Sequence, residues 1–506
     1  MPEFRMPVSE YPGNEIVFGL CYALGTNVEP VVNLLTDYIG KYFYEPRVVR
    51  ISEYLQNLQL DISPDDGTPA GRMHHLIDAG NKACEQAQRR DFLALAAVAQ
   101  ISQARTIDAG QRAPFEKTVQ IIRSLKRPEE VDRLRRIYRS GFYLISIFAT
   151  ETERHAYLEN RKNLSTDQAT GLIKRDLREQ GNTWGQRTEK TFPLGDVFVQ
   201  LASDNYDAEL LRFLDLVFGE RFISPRRDEY GMFLASAAAA RSSQPGRQVG
   251  AAILNAVGDV LAVGCNEVPR AQGGSYWEPE ADDPTASDRR DHRLEPPCDS
   301  NDEAKQEIAE SIVEQLSPVL KEGTLPKVVS SLLARTKLAD ITEYGRATHG
   351  EMDALMACAR TGVSPAGATL YVTTFPCHNC ARHIIAAGIR KVVYVEPYPK
   401  SRAGKLHGDA IEIGEQTGKV SPGEKIPFVP FLGVGTRRYL DFFSMEMGNG
   451  SRRLRKDDDG RGLYTDFKRS GTSGPRVPLL PTSYIEREEL AVKEIYETME
   501  RLEGGS

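Results

Sequence analysis

No stretch of this 506-residue chain stays apolar long enough to cross a bilayer, which takes about 20 such residues in a helix. The longest notable run, residues 142–149, suits a buried strand instead, so no membrane role is expected. The opening segment, residues 1–15, lacks the basic-then-apolar pattern of an export signal. An excess of positive charge is missing too: 64 Lys and Arg against 71 Asp and Glu leave a net charge of −7. A broad RNA or DNA surface requires the opposite balance, although an acidic chain can still carry a local basic groove. Cysteine is sparse and odd in number, seven residues of which five are scattered outside one Cys-x-x-Cys pair. That argues against a disulfide framework and for a reducing, cytoplasmic location. Internal repeats and low-complexity tracts are absent. What is there, 40% hydrophobic and 27% charged residues over a length exceeding one ordinary core, fits two or three globular domains.

One cluster of residues carries chemistry. His349-Gly350-Glu351 is followed, after a strand-like run, by Pro376-Cys377-His378-Asn379-Cys380. One imidazole, two thiolates and one carboxylate suit a zinc ion, Zn²⁺, with a proton shuttle beside it. Cys377 and Cys380, three apart, share one face of a helix and can reach the same ion. His349 and Glu351, two apart, would diverge on a helix body, so the pair works only at a helix end aimed at the metal. The pattern predicts a helix over 351–360 that stops at Gly362, and a second opened by Pro376 and running to Gly388. Two helix amino termini then converge, and their unpaired N–H groups favour thiolates and hydroxide. Two thiolates cancel the zinc charge and a neutral His349 leaves it unchanged, so the fourth position is open to a water whose pKa falls to about 7. Glu351 then takes the water proton and passes it on, which implies hydrolytic deamination. A lone Cys-x-x-Cys reads better as a structural zinc knuckle or a redox pair. The separate His-x-Glu and the preceding proline favour catalysis here.

Residues 249–254 and 260–265 predict two strands joined by a turn at Gly258-Asp259, after an alanine-rich helix over about 228–240. Runs at 369–374 and 391–395 bracket the second zinc helix, giving a mixed sheet in an α/β domain. Gly246-Arg247-Gln248-Val249-Gly250-Ala251, Val263-Gly264-Cys265-Asn266, Arg346-Ala347-Thr348-His349-Gly350-Glu351 and Pro376-Cys377-His378-Asn379-Cys380 resemble the motifs of the deoxycytidylate deaminase family. The resemblance spans roughly residues 228–399, interrupted over 267–345. It implies a cytidine-deaminase-like α/β/α fold, zinc on His349, Cys377 and Cys380, proton transfer by Glu351, and contact between Asn266 and the nucleotide sugar. Taken alone, Asn266 is a turn residue after a strand.

In the amino-terminal half, strand-like residues 15–18 lead into Gly19-Leu20-Cys21-Tyr22-Ala23-Leu24-Gly25-Thr26-Asn27. A phosphate loop belongs after such a strand. The working form, G-x-x-x-x-G-K-[ST], would need glycine at Leu20, lysine at Thr26 and a hydroxyl at Asn27, and has none of them. Backbone around Gly19, Gly25, Thr26 and Asn27 is still a candidate nucleotide cradle, without the groups for efficient phosphoryl transfer. A strand at 118–123, a helix at 129–139 and a strand at 142–149 predict βαβ units in a parallel sheet. Residues 124–130 and Ile173-Lys174-Arg175-Asp176 resemble phage-type deoxynucleoside monophosphate kinases, whose arginines there close over phosphates. Taken singly, these residues read as a solvated charged helix.

A degenerate P-loop kinase-like domain over 1–222, followed by a deaminase domain over 223–445, resembles the bacterial antiphage dCTP deaminases along nearly the whole chain. The resemblance implies conversion of dCTP, and of dCMP as well, to deoxyuridine nucleotides, draining a pool that phage replication needs. The first domain would sense a nucleotide, a phage-derived signal or an inhibitory RNA. The interruption opens with turn-rich residues 273–277 and 288–291, as substrate loops and ordinary surface excursions both do. Two amphipathic helices follow at 302–321 and 325–338. His292 and Cys298 lack a four-ligand set, so no second metal is expected. Arg247, Arg382, Arg390, Arg402 and Lys405 are phosphate candidates. Lys400 and Ser401, after the last deaminase strand, are the preferred triphosphate contact, against the reading of a surface loop. Residues 446–506 read as a linker and a docking helix, with Val492, Ile495, Tyr496, Met499 and Leu502 at helical spacing. It docks on its own body or a neighbouring subunit, and a homo-oligomer is expected. An RNA or single-stranded DNA editing deaminase remains the alternative, as does a sensing protein with an inert zinc site.

Overall fold

The computed structural model describes residues 15–56, 58, 60–108, 111–179, 181–201, 206–279, 288–294, 299–316, 318, 336, 344–395, 401–414, 425–449, 454–463, 475–477 and 481–503. Lys400, Cys298, the expected helix at 325–338 apart from residue 336, and the core of the linker's basic and glycine-rich stretches lie outside them.

The first half alternates strand and helix. β1 (Ile16–Tyr22) leads through α1 (Glu29–Lys41) to β2 (Glu45–Arg50). Then α2 (Ile51–Gln56), α3 (Pro69–Gln86), α4 (Phe92–Gln103) and the short hairpin of β3 (Ile107–Asp108) and β4 (Gln111–Arg112) precede β5 (Thr118–Arg123). After α5 (Pro128–Tyr138) and β6 (Phe142–Phe148) come α6 (Glu151–Lys162), α7 (Thr166–Leu177), α8 (Thr188–Thr191), β7 (Val197–Gln200) and α9 (Tyr206–Val217). The strands lie in the order β2-β5-β1-β6-β7, all parallel. Helices cover both faces of a parallel sheet, so its central strands are apolar throughout, as β1 and β6 are. β1 continues through Gly19 to Tyr22, so Gly19 sits inside the strand rather than in the loop expected after Phe18. A Cβ at Gly19 would press on Leu125 and Phe142 at 2.7 and 2.8 Å. The strand keeps glycine there for packing.

The second half starts with α10 (Arg227–Ala239), followed by β8 (Gly250–Leu254), β9 (Val260–Cys265) and α11 (Ser300–Leu316). Next come α12 (Gly350–Thr361), β10 (Thr369–Val372), α13 (His378–Ala386), β11 (Lys391–Tyr394), α14 (Ala403–Leu406), β12 (Ile411–Ile413) and β13 (Ile426–Pro430). Their sheet runs β12-β13-β11-β10-β8-β9, antiparallel in β10-β8-β9 and parallel elsewhere. Alternation along β8 explains the layers. Ala252 and Leu254 enter the core that holds Met232 and Ala235 of α10, whereas Ala251 and Ile253 enter the core with Ala354 of α12 and Ile384 of α13.

The halves are stitched together. β14 (Gly433–Val434) leaves the second sheet and pairs antiparallel with β7 at the edge of the first, ahead of α15 (Tyr439–Phe443). The Val434 amide donates to buried Glu229 on α10 at 2.8 Å, and Arg212 on α9 donates to the same carboxylate at 2.7 and 2.9 Å. Phe198 of the first sheet meets Phe431 of the second edge to face, centroids 5.6 Å apart. The final helix, α16 (Pro481–Glu503), docks on α4 and α5, with Tyr484, Val492 and Ile495 in the core and Tyr496 half exposed. Among the described residues no helix is long and apolar enough to cross a membrane.

Candidate active site

His349 is the extended residue that caps α12, and Cys377 holds the same position on α13. The second helix therefore begins at His378, two residues later than the Pro376 start expected from sequence. The Cys377 sulfur takes the role of a capping oxygen, accepting from the Cys380 amide at 3.4 Å. Two helix amino termini face one point. His349 Nδ1 lies 3.2 Å from Cys380 Sγ and 3.4 Å from Cys377 Sγ, and all three donor atoms fall within 4.8 Å of one another. The fit to a divalent ion rests on this donor set. The Cys377 thiol is pulled down to about 4, first by hydrogen bonding with the Cys380 thiol and then by His349, so one thiolate is already favoured. The Cys380 thiol is pushed up, chiefly as the proton-bearing partner of Cys377, and would release its proton to an ion. His349 is raised by its hydrogen bond with Cys377.

Glu351, in the first turn of α12, stands outside the three-donor group and is only 2% exposed. Burial pushes its carboxyl above the usual range, which suits a group that must accept and return a proton. It lines a cavity of about 250 Å³ together with His349, Cys377, Phe375 and two arginines, Arg247 and Arg346.

The walls are braced by residues close in sequence to the motifs. Asn266, at the end of β9, accepts from the Val249 amide at 2.6 Å and donates to the Arg247 carbonyl at 2.8 Å, and it lines the cavity. Its next neighbour, Glu267, was read as the start of the interruption, yet it is fully buried. Its carboxylate accepts from the Ser243 amide at 2.9 Å and hydroxyl at 2.8 Å, and its carbonyl accepts from Thr348 beside His349. Its adjacency to Asn266 was the available signal. The interruption also folds back on the cavity: Asp291, Asp299 and Asn301 line it, and Arg346 donates to buried Asp291 at 2.8 Å. Ser401 lies elsewhere, its hydroxyl accepting from the Ala403 amide at 3.1 Å, and it is not among the described residues lining the cavity.

Of the amino-terminal cradle candidates, only Gly25 lines a different cavity, of about 370 Å³. Gly25 lines it at φ +90°, followed by buried Thr26 and exposed Asn27, while Gly19 packs inside β1. Lys126 reaches across it to Asp176 at 2.7 Å and to the Tyr22 carbonyl at 2.6 Å. Reading residues 124–130 as a solvated charged face fails for two of them. Arg127 is 0% exposed, bonded to Glu130 at 3.0 Å and Asn81 at 2.7 Å, and Glu130 is buried with it. Helical periodicity cannot see such pairing, because the partners come from α3 and α5 together.

Residues 225–396 match the family described as the cytidine and deoxycytidylate deaminase zinc-binding region. ComE operon protein 2 of Bacillus subtilis (strain 168) is 44% identical over 73 residues, covering 14% of this chain and 35% of that one. The deoxycytidylate deaminase of Enterobacteria phage T2 is 48% identical over 56 residues, covering 11% of this chain and 30% of that one. The chain thus spans about a third of the length of these relatives. The crystal structure of the dCMP deaminase from the cyanophage S-TIM5 in apo form aligns at 16% identity and a TM-score of 0.22, covering 41% of this chain and 100% of that one. The match to the zinc-binding region of the cytidine and deoxycytidylate deaminases thus takes in His349, Cys377 and Cys380, which form a group that could hold the ion.

Proposed function

We propose that this protein hydrolytically deaminates free deoxycytidine nucleotides, dCTP and also dCMP, to deoxyuridine nucleotides. The observation that carries the reading is the buried, non-ligating Glu351 beside a three-donor metal group, at the base of a cavity lined also by Arg247 and Arg346. Bound zinc would acidify a water at this site. Glu351 takes one proton of that water as oxygen bonds to C4 of the cytosine and delivers it to N3; it then carries the remaining proton of the C4 hydroxyl to the amine, so that the C4 carbonyl forms as the C4–N4 bond breaks and ammonia leaves. Arg247, held by Asn266, and Arg346, held by Asp291, suit the substrate phosphates. A cavity of this size in an acidic chain suits one nucleotide better than a strand of nucleic acid.

The amino-terminal half, residues 1–222, acts in this proposal as a P-loop kinase-like regulatory domain. Its support is the all-parallel strand order, a glycine turn after β1 without the phosphate-loop lysine, and a cationic cavity beside that turn. Depletion of dCTP against phage, assembly as a homo-oligomer and a cytoplasmic location belong to the same proposal. Zinc-loaded protein incubated with dCTP, dCMP, CTP and single-stranded DNA should yield uracil only from the deoxynucleotides. Glu351→Gln should lower kcat about 10²–10⁴-fold with the zinc content unchanged. Uracil in DNA alone, or zinc binding without any turnover, would overturn the reading.

A further inference from the structure

The loop that follows β1 lacks the lysine of a working phosphate loop, yet a lysine from elsewhere in the chain stands beside it. Lys126, between β5 and α5, extends from the strand that neighbours β1. Its Nζ donates to the Tyr22 carbonyl at 2.6 Å and lies 5.2 Å from the Tyr22 ring centre. Its charge is met by Asp176 Oδ1 at 2.7 Å, and the other oxygen of that carboxylate accepts from the Leu24 amide at 2.8 Å. A loop amide and a lysine ammonium converging on one anion are the parts of a phosphate cradle, with a carboxylate where phosphate would be.

Nothing in α7 itself accounts for this acid. Asp176 is fully buried in the last turn of that helix, where the macrodipole disfavours negative charge. A carboxylate is tolerated there because the Leu24 N–H and Lys126 answer it. Its neighbour Arg175 turns away, to Asp78 of α3 and to Glu179 at 2.9 Å, and does not line the cavity of about 370 Å³ that Asp176 lines. The helix thus offers the cavity an acid where phosphate would call for a base. The other cations on the wall are paired as well: Arg123 with Glu29 at 2.7 Å, Arg127 with Glu130 at 3.0 Å and Arg50 with Glu53 at 3.5 Å. Gly25 sets the turn at φ +90° against α6, where a Cβ would come within 2.9 Å of the Arg154 carbonyl oxygen. The loop is therefore held in this shape by its own packing.

We propose that the loop after β1 is a latent polyphosphate site, kept filled by the Asp176 carboxylate as a stand-in for phosphate. A di- or triphosphate chain gains the Leu24 N–H and the Lys126 ammonium only by expelling that carboxylate, and the end of α7 moves with it. α7 shares a core with α3 and α6 through Ala169, Leu172 and Ile173, so the exchange is felt by both helices. Its regulatory meaning rests on the proposed role of residues 1–222, whereas the exchange of anions is measured apart from that role and from any deaminase turnover.

Calorimetric titration of the full-length protein with inorganic tripolyphosphate provides the test. Asp176→Asn keeps the shape and an acceptor for the Leu24 amide but frees the Lys126 charge. It should show a site about tenfold or more tighter than any in the wild type, the worth of one charge-assisted hydrogen bond. Adding Lys126→Met should abolish that gain, and adding Arg247→Ala, in the zinc cavity, should leave it intact. ATP should bind Asp176→Asn more tightly still, its base against Ile51, Leu55 and Met73 on the cavity wall. Equal affinity for ATP and tripolyphosphate marks a bare phosphate chain as the ligand, and either result supports an opened cradle. One measurement needs no variant: the Leu24 amide should exchange slowly with deuterium in the wild-type protein, because Asp176 holds it. No gain in Asp176→Asn, a gain that survives Lys126→Met or vanishes with Arg247→Ala, or fast exchange at Leu24 overturns the proposal.

Discussion

Asn266 shows what a single side chain does here. Both polar atoms of its amide are spent on one loop, accepting from the Val249 amide and donating to the Arg247 carbonyl, so it fixes the backbone that carries the Arg247 side chain. Asn266→Ala removes both bonds, at about 1–3 kcal/mol in total, and should raise the KM for dCMP about tenfold while kcat falls less. Asn266→Asp keeps the acceptor and loses the donor, so it should sit between the two in a steady-state comparison. Equal KM values in all three proteins would remove Asn266 from positioning. The grouping of His349, Cys377 and Cys380, with Glu351 left outside it, was legible because the proposed chemistry demands those residue types at that spacing. Glu267 was not, since a buried carboxylate is recognisable only once the Ser243 amide and hydroxyl that satisfy it are in place.

At the scale of elements, the site depends on how closely α12 rests on β9. A Cβ at Gly264 would overlap the Ala354 nitrogen and the Gly350 carbonyl of that helix, and one at Gly250 would overlap α10. Glycine at these two positions lets helices of opposite faces seat against the same hairpin. Gly264→Ala should push α12 outward, costing about 1–3 kcal/mol of stability and weakening zinc retention, because His349 and Glu351 ride on that helix. Urea unfolding and metal analysis after dialysis check both, and a variant with wild-type values in each would show that the helix can shift freely. The strands of this hairpin were predictable from two short apolar runs on either side of the turn at Gly258. β2, with the sequence EPRVVR and half-exposed side chains, carries no such pattern and forms because β5 offers it an edge.

For the whole molecule, a buried ionic knot ties distant parts of the chain together. Arg105, after α4, bonds Glu15 before β1 at 2.9 Å and Glu488 on α16 at 2.7 Å, and Tyr484 donates to Glu15 at 2.8 Å. All three charged side chains are fully buried. Arg105→Met would leave two carboxylates without their counter-charge and should cost about 3–5 kcal/mol, seen as a lower midpoint in denaturant and faster proteolysis of α16. Adding Glu488→Leu should restore part of the loss. An unaffected midpoint would mean that α16 is held by its apolar face alone.

The sequence by itself determined the local chemistry: which residues can hold zinc, which acid is left outside that group, and which short apolar runs form the hairpin and the parallel strands. Those properties depend on residue type and on separations of a few positions. Only the tertiary structure decided that β14 crosses back to the first sheet, that Asp291, Asp299 and Asn301 within the 267–345 interruption wall the zinc cavity, and that Arg127 is buried rather than solvated. Each of those outcomes pairs groups far apart along the chain, and the free energy of such a pairing exists only when folding brings both partners out of water together.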